Sequence, residues 1–259
     1  MLDLKRVWKP NIAVVMEPRI SGRKENRVVS RLGFSNSHRV DPRGFSGGIW
    51  ILWEAQRMDV SIIYNHTQFI HLRVSMNNSS FLFTAVYGAP QDRWRKFLWE
   101  NLISLAKDIK EPWLLGGDFN AILVGSERRT GRRQHRRANP PFQQCLLEAS
   151  LLDMGFSGQQ FTWKSGRKLA RLDRFLCNSE WLQIFSEASI THLPRTSSDH
   201  CPVLCQLSPR QRRNAGLDNF KFQAAWLSHP EFDKFVEAAW QPSPHITHTI
   251  DNFVVQAGD

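Results

Sequence analysis

Short runs of β-branched and aromatic residues recur along most of the chain, and polar side chains alternate with apolar ones in several of them. This pattern is typical of β-strands with one covered face. It predicts strands over residues 11–16, 48–53, 60–64, 69–74, 81–86 and 113–117, and shorter strands near residues 161–163, 170–176, 189–193 and 202–207.

Residues 91–110 follow a different pattern, in which apolar side chains recur every three or four positions. Such spacing places them on one face of a helix, for which Asp92 is a suitable N-terminal cap. Two more helices are predicted over about residues 141–152 and 179–185. Because strands outnumber helices and the two types are interspersed, we expect an α+β domain, two-layered or sandwich-like, over residues 1–208.

The composition changes after this domain. Residues 209–219 are polar and basic without periodicity, which is typical of a linker. Residues 220–259 begin with an amphipathic, tryptophan-bearing stretch and continue without a clear closing element. We therefore expect a connector fragment there, and we interpret the chain as a piece of a longer protein.

The net charge narrows the class of partner. The 259 residues include 34 Lys and Arg against 24 Asp and Glu, a formal net charge of +10. This excess favours a polyanion, such as nucleic acid or an anionic membrane surface. Neither a run of apolar residues that could span a bilayer nor the apolar stretch of a signal peptide is present, which argues against a membrane partner.

About half of the excess positive charge stands on one stretch, residues 121–140, where Glu127 is the single acid. The arginines of this stretch are Arg128, Arg129, Arg132, Arg133, Arg136 and Arg137. Glycines and a proline interrupt the run and disfavour a packed helix, so we expect a solvated loop that can lie along a phosphate backbone. A surface loop that only adds solubility is the alternative.

The best candidate for chemistry is the strand end LLGGDFN at residues 114–120. There, Asp118 and Asn120 lie two positions apart where an apolar strand ends. A carboxylate and an amide so placed can share a phosphate and its divalent cation, because the carboxylate supplies charge and the amide supplies neutral hydrogen bonds. Taken alone the motif is weak, since Asp and Asn are also common in turns.

Three further elements strengthen this candidate. Asp199 and His200 stand together at the entrance of a strand, where the imidazole can act as acid, base or phosphate ligand near neutral pH. Asp173 lies alone between apolar strand positions and is a suitable orienting partner for an imidazole. Glu17 stands at the tip of the first strand, where it is either a solvated strand end or a metal ligand.

The order of these motifs resembles the endonuclease/exonuclease/phosphatase superfamily. The chain presents, in sequence, Glu17, the glycine-rich residues 44–48, the strand end at 86–90, GDFN at 117–120, RLD at 171–173 and SDH at 198–200. Four segments resemble in sequence the endonuclease domain of plant non-LTR (LINE-type) retrotransposon polyproteins. They are GFSGGIWILW, LDMGFSGQQFTW, RLDRFLCNSEW and HLPRTSSDHCPVL. Residues 220–232 resemble the region that joins that domain to the reverse transcriptase.

The resemblance implies a four-layered α/β sandwich whose strand ends gather at one edge and cleave phosphodiesters with Mg²⁺, or with Mn²⁺ in its place. It assigns Glu17 to the metal, with Asp199 next to the metal and the attacking water. It assigns Asp118 to orienting or deprotonating that water. Asn120 is then the residue that holds the phosphate and helps to orient Asp118.

The same resemblance assigns His200 to the scissile phosphate, with Asp173 as its carboxylate partner, and brings the Tyr87 hydroxyl to the phosphate. A histidine paired with a carboxylate has raised basicity and stays cationic, which strengthens its contact with the phosphate. Thr162 and Ser198 stand where such endonucleases have small hydroxyl residues near the DNA.

One departure from the superfamily pattern changes the expectation. Members begin with a central strand that ends in an asparagine, and this chain starts downstream of it. We therefore expect a sandwich that lacks its first strand, with weak or absent cleavage. Two alternatives stay open, a non-catalytic nucleic-acid-binding remnant that uses the arginines and a phosphatase for inositol phosphates or lipids. In the endonuclease interpretation the partner is DNA, the location is intracellular and nuclear, and the reverse transcriptase is absent from the chain.

Overall fold

The structure of the chain is a computed structural model that describes residues 1–18, 20, 22–41, 47–76, 79–130, 133–134, 139–207 and 236–237. The chain divides into two units, Met1–Ser208 and Pro209–Asp259. In the second unit, residues 236–237 are described and are helical. The predicted linker at residues 209–219 and nearly all of the predicted connector at 220–259 therefore lie outside the described residues.

Five helices are described in the first unit. They are α1 (Leu2–Trp8), α2 (Arg23–Leu32), α3 (Asp92–Asp108), α4 (Pro140–Glu148) and α5 (Ser179–Ile184), with a 3₁₀ turn at Gly125–Glu127. Helices α3, α4 and α5 confirm the three predicted helices, although the N-cap of α3 is Gln91 rather than Asp92. Helices α1 and α2 have no predicted counterpart. None of the described helices has the length and apolar character needed to cross a bilayer.

The described strands form four sheets. The first has the order β1 (Ile12–Met16), β3 (Ile49–Trp53), β2 (Asn36–Val40). The second, the main sheet, has the order β10 (Leu152–Asp153), β14 (Asp173–Cys177), β7 (Trp113–Asp118), β6 (Ser79–Tyr87), β5 (Phe69–Met76), β4 (Asp59–His66). The third has the order β11 (Ser157–Gly158), β15 (Ser189–His192), β16 (Val203–Gln206). The fourth has the order β12 (Trp163–Ser165), β13 (Lys168–Ala170), β8 (Arg128–Thr130), β9 (Arg133–Gln134).

Strand β3 is apolar at every position, and its successive side chains point to opposite faces of the first sheet. Ile49 and Ile51 pack in a core shared with β5 and β6 of the main sheet. Trp50 and Leu52, which point the other way, pack with Leu32 of α2. A strand that is apolar on both faces must be covered on both faces, so β3 lies between a helix and a second sheet.

The main sheet is covered on its other face by helices. In β6, Phe83 and Ala85 belong to the core between the sheets. Leu82 and Val86 alternate with them and pack with Leu98 of α3 and with residues of α4. The order of layers is therefore α2, the first sheet, the main sheet, and α3 with α4, which confirms the sandwich of helices and sheets.

The arginine-rich stretch differs from the prediction. Residues 128–130 form β8, which pairs with β13, and residues 133–134 form β9, which pairs with β8. A solvated loop is therefore a wrong description of these residues, because the free edge of β13 draws them into a sheet. Residues 131–132 and 135–138 lie outside the described residues.

The register of three central strands positions the candidate site. Strands β6 and β7 run parallel and place Tyr87 opposite Asp118. Helix α3 makes the crossover between them, since parallel neighbours need a long connection. Strand β14 runs antiparallel to β7 and places Asp173 opposite Asp118. Three residues from distant parts of the chain therefore meet at one end of the main sheet.

Candidate active site

Asp118 is the last residue of β7 and is almost fully buried. The backbone N–H of Asn120 donates to its Oδ1 at 2.8 Å, and Nδ2 of Asn120 donates to its Oδ2 at 3.1 Å. Asn120 has a φ of 49°, a left-handed conformation that asparagine adopts more readily than most residues. One residue therefore orients both carboxylate oxygens, which is the contact expected between these two residues.

Close packing on both sides of Asp118 holds this turn. Gly117 has a φ of 145°, and a Cβ at that position would collide with a carbonyl oxygen of β6. Phe119 is fully buried and stacks with Phe142 at a ring-centroid distance of 5.3 Å. A required glycine before Asp118 and a buried ring after it fix the direction of its carboxylate.

The imidazole of His200 is bound to Asp173, with Nδ1 of His200 2.8 Å from Oδ2 of Asp173. The other ring nitrogen, Nε2, lies 3.9 Å from Oδ2 of Asp118. Ligand atoms of these three side chains all lie within 4.8 Å of one another. The structure therefore brings His200 together with Asp173, its predicted partner, and places Asp118 beside the pair.

Thr162 supports this pair from within the protein. Its side chain is fully buried, and its Oγ1 accepts hydrogen bonds from the N–H groups of Leu172 at 2.9 Å and Asp173 at 3.0 Å. Its carbonyl oxygen accepts from the N–H of Cys201, which follows His200, at 2.8 Å. A hydroxyl buried among these partners positions the pair, and its burial does not support the predicted contact of Thr162 with DNA.

Two groups of the site have strongly shifted pKa values. Burial, together with the negative charge of Asp173, raises the pKa of Asp118 to about 7. Burial by itself would lower the pKa of His200, but the hydrogen bond and the charge of Asp173 outweigh it and raise that pKa to about 9. Near neutral pH the imidazole is therefore cationic, while Asp118 is close to the midpoint of its titration.

Glu17 and Tyr87 meet at the same strand ends. Glu17 follows β1 directly and has a φ of 45°, and the hydroxyl of Tyr87 donates a hydrogen bond to its Oε1. After burial and Asp173, the charge of Glu17 is a further cause of the raised pKa of Asp118. The predicted metal ligand and the predicted phosphate-contacting hydroxyl therefore lie together, within electrostatic range of Asp118.

Asp199 and Ser198 are exposed at the start of the SDH segment. Oδ2 of Asp199 accepts a hydrogen bond from Nε1 of Trp163 at 3.2 Å, and Trp163 also forms an isolated β-bridge with His200. Oγ of Ser198 accepts from the N–H of His200 at 3.1 Å. In the sequence Trp163 is expected to be a packing residue, and no local pattern signals its contact with Asp199, 36 positions away.

The donors at this end of the sheet fit a divalent cation. Glu17, Asp118 and Asp173 carry carboxyl groups, the ligands that Mg²⁺ prefers, and when all three are ionised the single positive charge of His200 leaves a net negative charge at the site. Burial is the main cause of the raised pKa of Asp118, and the charges of Asp173 and Glu17 add to it. The group of possible ligand atoms found within 4.8 Å of one another among the described residues is that of Asp118, Asp173 and His200, which differs from the predicted ligands Glu17 and Asp199.

Of the predicted DNA-binding arginines, the structure describes the side chains of Arg128, which is half-buried, and Arg129, which is exposed. The guanidinium of Arg129 lies over the ring of Phe161 at 5.6 Å. The side chains of Arg132, Arg133, Arg136 and Arg137 lie outside the described residues. Because Phe161 directly precedes Thr162, strand β8 borders the segment that supports the site.

Comparison with known proteins gives a family and a set of similar folds. The sequence pattern described as "Endonuclease/Exonuclease/phosphatase family" matches residues 6–200. No curated protein matches the sequence significantly. Among solved structures, the endonuclease domain of TRAS1, a telomere-specific non-LTR retrotransposon, is 15% identical with a TM-score of 0.59, covering 79% of this chain and 88% of that chain.

Two other solved structures are similar to about the same degree. An AP endonuclease from Archaeoglobus fulgidus is 14% identical with a TM-score of 0.57, covering 80% of this chain and 92% of that chain. Humanized D. rerio TDP2 is 14% identical with a TM-score of 0.56, covering 79% of this chain and 88% of that chain. At these identities the likeness shows a shared fold.

Proposed function

The chain belongs to the endonuclease/exonuclease/phosphatase family, and from this premise we propose that it hydrolyses phosphodiester bonds of DNA with the help of Mg²⁺. The proposed reaction is the nicking of DNA by a retrotransposon-type endonuclease. The observation that carries the proposal is the meeting of Asp118, Asp173 and His200, whose ligand atoms lie within 4.8 Å of one another. A buried carboxylate beside a cationic imidazole is suited to activating water and binding a phosphate.

Asp118 is the proposed general base. Water that attacks phosphorus in line with the leaving oxygen must lose a proton, and a carboxylate with a pKa of about 7 can accept a proton near neutral pH. Asn120 donates to both oxygens of this carboxylate, which therefore keeps one orientation as the water approaches. A fixed base of this kind lowers the entropy that the reaction must lose in its transition state.

His200 is the proposed ligand of the scissile phosphate. Its raised pKa, about 9, keeps the ring cationic, and Asp173 occupies Nδ1, so Nε2 faces Asp118 and the proposed position of the phosphate. The imidazolium neutralises part of the charge that grows on the phosphate oxygens in the transition state. The Tyr87 hydroxyl and the Asn120 amide are the proposed further contacts of the phosphate. Each would exchange a present hydrogen bond for one to a phosphate oxygen, Tyr87 its bond to Glu17 and Nδ2 of Asn120 its bond to the carbonyl of Gly88.

Glu17 is the proposed metal ligand, and Asp199 is proposed to lie next to the metal and the attacking water. When bound, Mg²⁺, or Mn²⁺ in its place, supplies positive charge to the phosphate oxygens and to the departing alkoxide. Tyr87 donates to Glu17 and holds its carboxylate at the tip of β1. The assignment is supported by the charges of Asp173 and Glu17, which after burial raise the pKa of Asp118, because a bound cation would relieve their repulsion.

The arginine-rich strand is proposed to bind the DNA backbone. Arg129 is exposed on β8, and guanidinium groups bind phosphates through charge-assisted hydrogen bonds. The exposed Ser198 is proposed as a further contact with the DNA. A long polyanion fits this arrangement better than a small inositol phosphate does, since the arginines extend along the chain. Action on chromosomal DNA would place the protein in the nucleus.

Calorimetric titration with Mn²⁺, combined with DNA binding by fluorescence anisotropy, separates this function from that of a non-catalytic DNA-binding remnant. We expect metal binding that Glu17→Gln and Asp118→Asn each weaken by about tenfold or more. The matched control is Asp59→Asn, an exposed acid at the opposite end of the main sheet, which should leave metal binding unchanged. Salt-sensitive DNA binding without metal binding, unaffected by EDTA and by both site variants, would contradict the proposal.

A further inference from the structure

Four charged side chains form a buried ionic network beside Asp173. They are Glu127, Asp153, Arg171 and Arg174. Arg174 is 1% exposed and Arg171 is 6% exposed, so both guanidinium groups are removed from water. Two positive and two negative charges balance, and the network is neutral as a whole. The chemistry proposed above uses none of these four residues.

Each arginine of the network bridges both acids. Oε1 of Glu127 accepts from Nη1 of Arg171 at 2.9 Å, and its Oε2 accepts from Nη2 of Arg174 at 2.8 Å. Oδ1 of Asp153 accepts from Nη2 of Arg171 at 2.7 Å, and its Oδ2 accepts from Nη1 of Arg174 at 2.7 Å. The result is a closed ring of charge-assisted hydrogen bonds, in which no member can move without breaking contacts to two others.

The network lies where the chain crosses from one sheet to another. Strand β13 pairs with β8 in the fourth sheet, and β14, which begins at Asp173, pairs with β7 in the main sheet. At the crossing, the N–H of Arg171 donates to the carbonyl of Glu127 at 2.9 Å, and the carbonyl of Leu172 accepts from the N–H of Phe119 at 2.9 Å. The two arginines therefore fix the chain two residues before and one residue after Asp173.

A buried ionic network is a poor device for stability alone. Replacing such pairs by apolar residues of similar size is often neutral or stabilising, because the charges lose their hydration on burial. Removing one partner is nevertheless strongly destabilising, so the network tolerates one geometry and penalises others. An ionic network with these properties is suited to fixing the direction of a neighbouring side chain rather than to increasing the free energy of unfolding.

We propose that the network of Glu127, Asp153, Arg171 and Arg174 positions Asp173 against Asp118 and His200, and that it ties strand β8 to them. Glu127 immediately precedes Arg128, so the arginine strand and the carboxylate partner of His200 are attached to the same ring of hydrogen bonds. The four are positioning residues, since they act through Asp173. Their effect on cleavage rests on the proposed function, whereas their effect on the placement of Asp173 does not.

Asp153→Asn and Glu127→Gln in the full chain test this role, with Glu111→Gln as the matched control. Glu111 forms a two-fold pair with Arg73 near the start of β7, at the opposite end of that strand from Asp118. The first measurement is the downfield proton resonance of the Nδ1–H of His200, identified by its absence in His200→Ala. The second is plasmid nicking, and both are made at a temperature where circular dichroism shows each variant to be folded.

We expect the two network variants to lose the resonance or move it upfield, and to lower kcat by about 10- to 100-fold with little change in KM. The control should keep both the resonance and kcat. Should a network variant fail to fold, Arg171→Lys keeps the positive charge, removes the two-fold contact and takes its place in the same test.

An unchanged His200 resonance in the folded network variants would overturn the proposal, and so would the absence of that resonance in the unaltered chain. A kcat loss without a change in the resonance would also count against it. If the unaltered chain does not nick DNA, the proposed function fails, and the resonance still decides whether the network positions Asp173.

Discussion

Nδ1 of His200 lies 2.8 Å from Oδ2 of Asp173, a residue 27 positions earlier in the chain. This contact raises the pKa of the imidazole against the effect of its burial, and it leaves the other ring nitrogen directed at Asp118. It turns the histidine into a fixed cation at the edge of the main sheet. The proposed hydrolysis depends on this placement, because a mobile or neutral imidazole would bind a phosphate less well.

The hydroxyl of Thr162 supports the placement of Asp173 and can be tested by an isosteric change. Thr162→Val removes the acceptor of the N–H groups of Leu172 and Asp173 inside the protein. We expect a loss of about 2–4 kcal/mol in the free energy of unfolding, because two buried donors stay unpaired. Thr162→Ser should keep most of the stability. Urea denaturation measures both variants, and equal stability of the two would contradict the assignment.

The shifted pKa values predict the pH dependence of stability in EDTA. The ordinary pKa of Asp118 is 3.8 and its folded value is about 7, so the folded state holds this proton more tightly than the unfolded chain. Its stabilising contribution is present below 3.8 and is lost as the pH rises through 7. His200, whose pKa rises from 6.5 to about 9, contributes stability below 6.5 that is lost as the pH rises through 9.

Asp118 therefore predicts that the free energy of unfolding falls between pH 3.8 and about pH 7, and His200 predicts a further fall between pH 6.5 and about pH 9. Asp118→Asn should remove the fall between pH 3.8 and about pH 7, and His200→Ala should remove the fall between pH 6.5 and about pH 9. Thermal unfolding at a series of pH values, with each variant compared with the unaltered chain, measures the two contributions. Variants that follow the same pH profile as the unaltered chain would disprove the assignment of the shifts.

Addition of Mg²⁺ should reverse this loss of stability. A ligand that binds the folded state alone raises the melting temperature, and an ionised Asp118 favours the cation more than a protonated one does. We expect a larger rise in melting temperature at pH 8 than at pH 6, reduced in Glu17→Gln and unchanged in Asp59→Asn. Differential scanning fluorimetry with increasing MgCl₂ makes the measurement, and an equal rise in Glu17→Gln would count against a metal at this position.

The ionic network beside Asp173 makes a prediction on the acid side. Burial alone would raise the pKa values of Glu127 and Asp153, but Arg174 and Arg171 outweigh it and hold both below their usual range. Their stabilising contribution is therefore present above the ordinary values of 4.5 and 3.8 and is lost as the pH falls through the lowered ones. Acid unfolding of the unaltered chain should fall in this range.

Arg174→Met should destabilise the folded state by about 3–5 kcal/mol at neutral pH, because it leaves buried carboxylates without a partner. It should also move acid unfolding to higher pH, since Glu127 and Asp153 lose a cation that keeps them ionised. Circular dichroism during acid titration follows both effects. An acid midpoint that does not move would show that Arg174 contributes nothing to those two pKa values.

The sequence predicted correctly the strands and helices whose apolar pattern lies within their own residues. The apolar run of β3 and the three- and four-residue spacing of α3 each predict one structure, and the structure has it. Helix α2 was missed because its sequence RKENRVVSRL is dominated by charged and polar residues, and β2 was missed because NSHRV is mostly polar. Both depend on packing against β3, which no local pattern contains.

The candidate site divides in a similar way. The resemblance predicted which residues lie together, because the order of short motifs along the chain carries that information. It did not reveal the ionic network, since Glu127 and Arg171 are 44 positions apart and their contact exists only after β13 has paired with β8. The burial of Thr162 likewise follows from the crossing between two sheets rather than from the residues around it.

Nicking of supercoiled plasmid DNA by the full chain tests the proposed function most directly. We expect slow, Mg²⁺-dependent conversion to open circles, in keeping with the weak cleavage expected from the sequence. EDTA should abolish it, and Asp59→Asn should leave it unchanged. Asp118→Asn and His200→Ala should each slow the reaction by about 100-fold or more. Plasmid that stays supercoiled with folded, metal-binding protein, or nicking that persists in EDTA and in both variants, would contradict the proposed function.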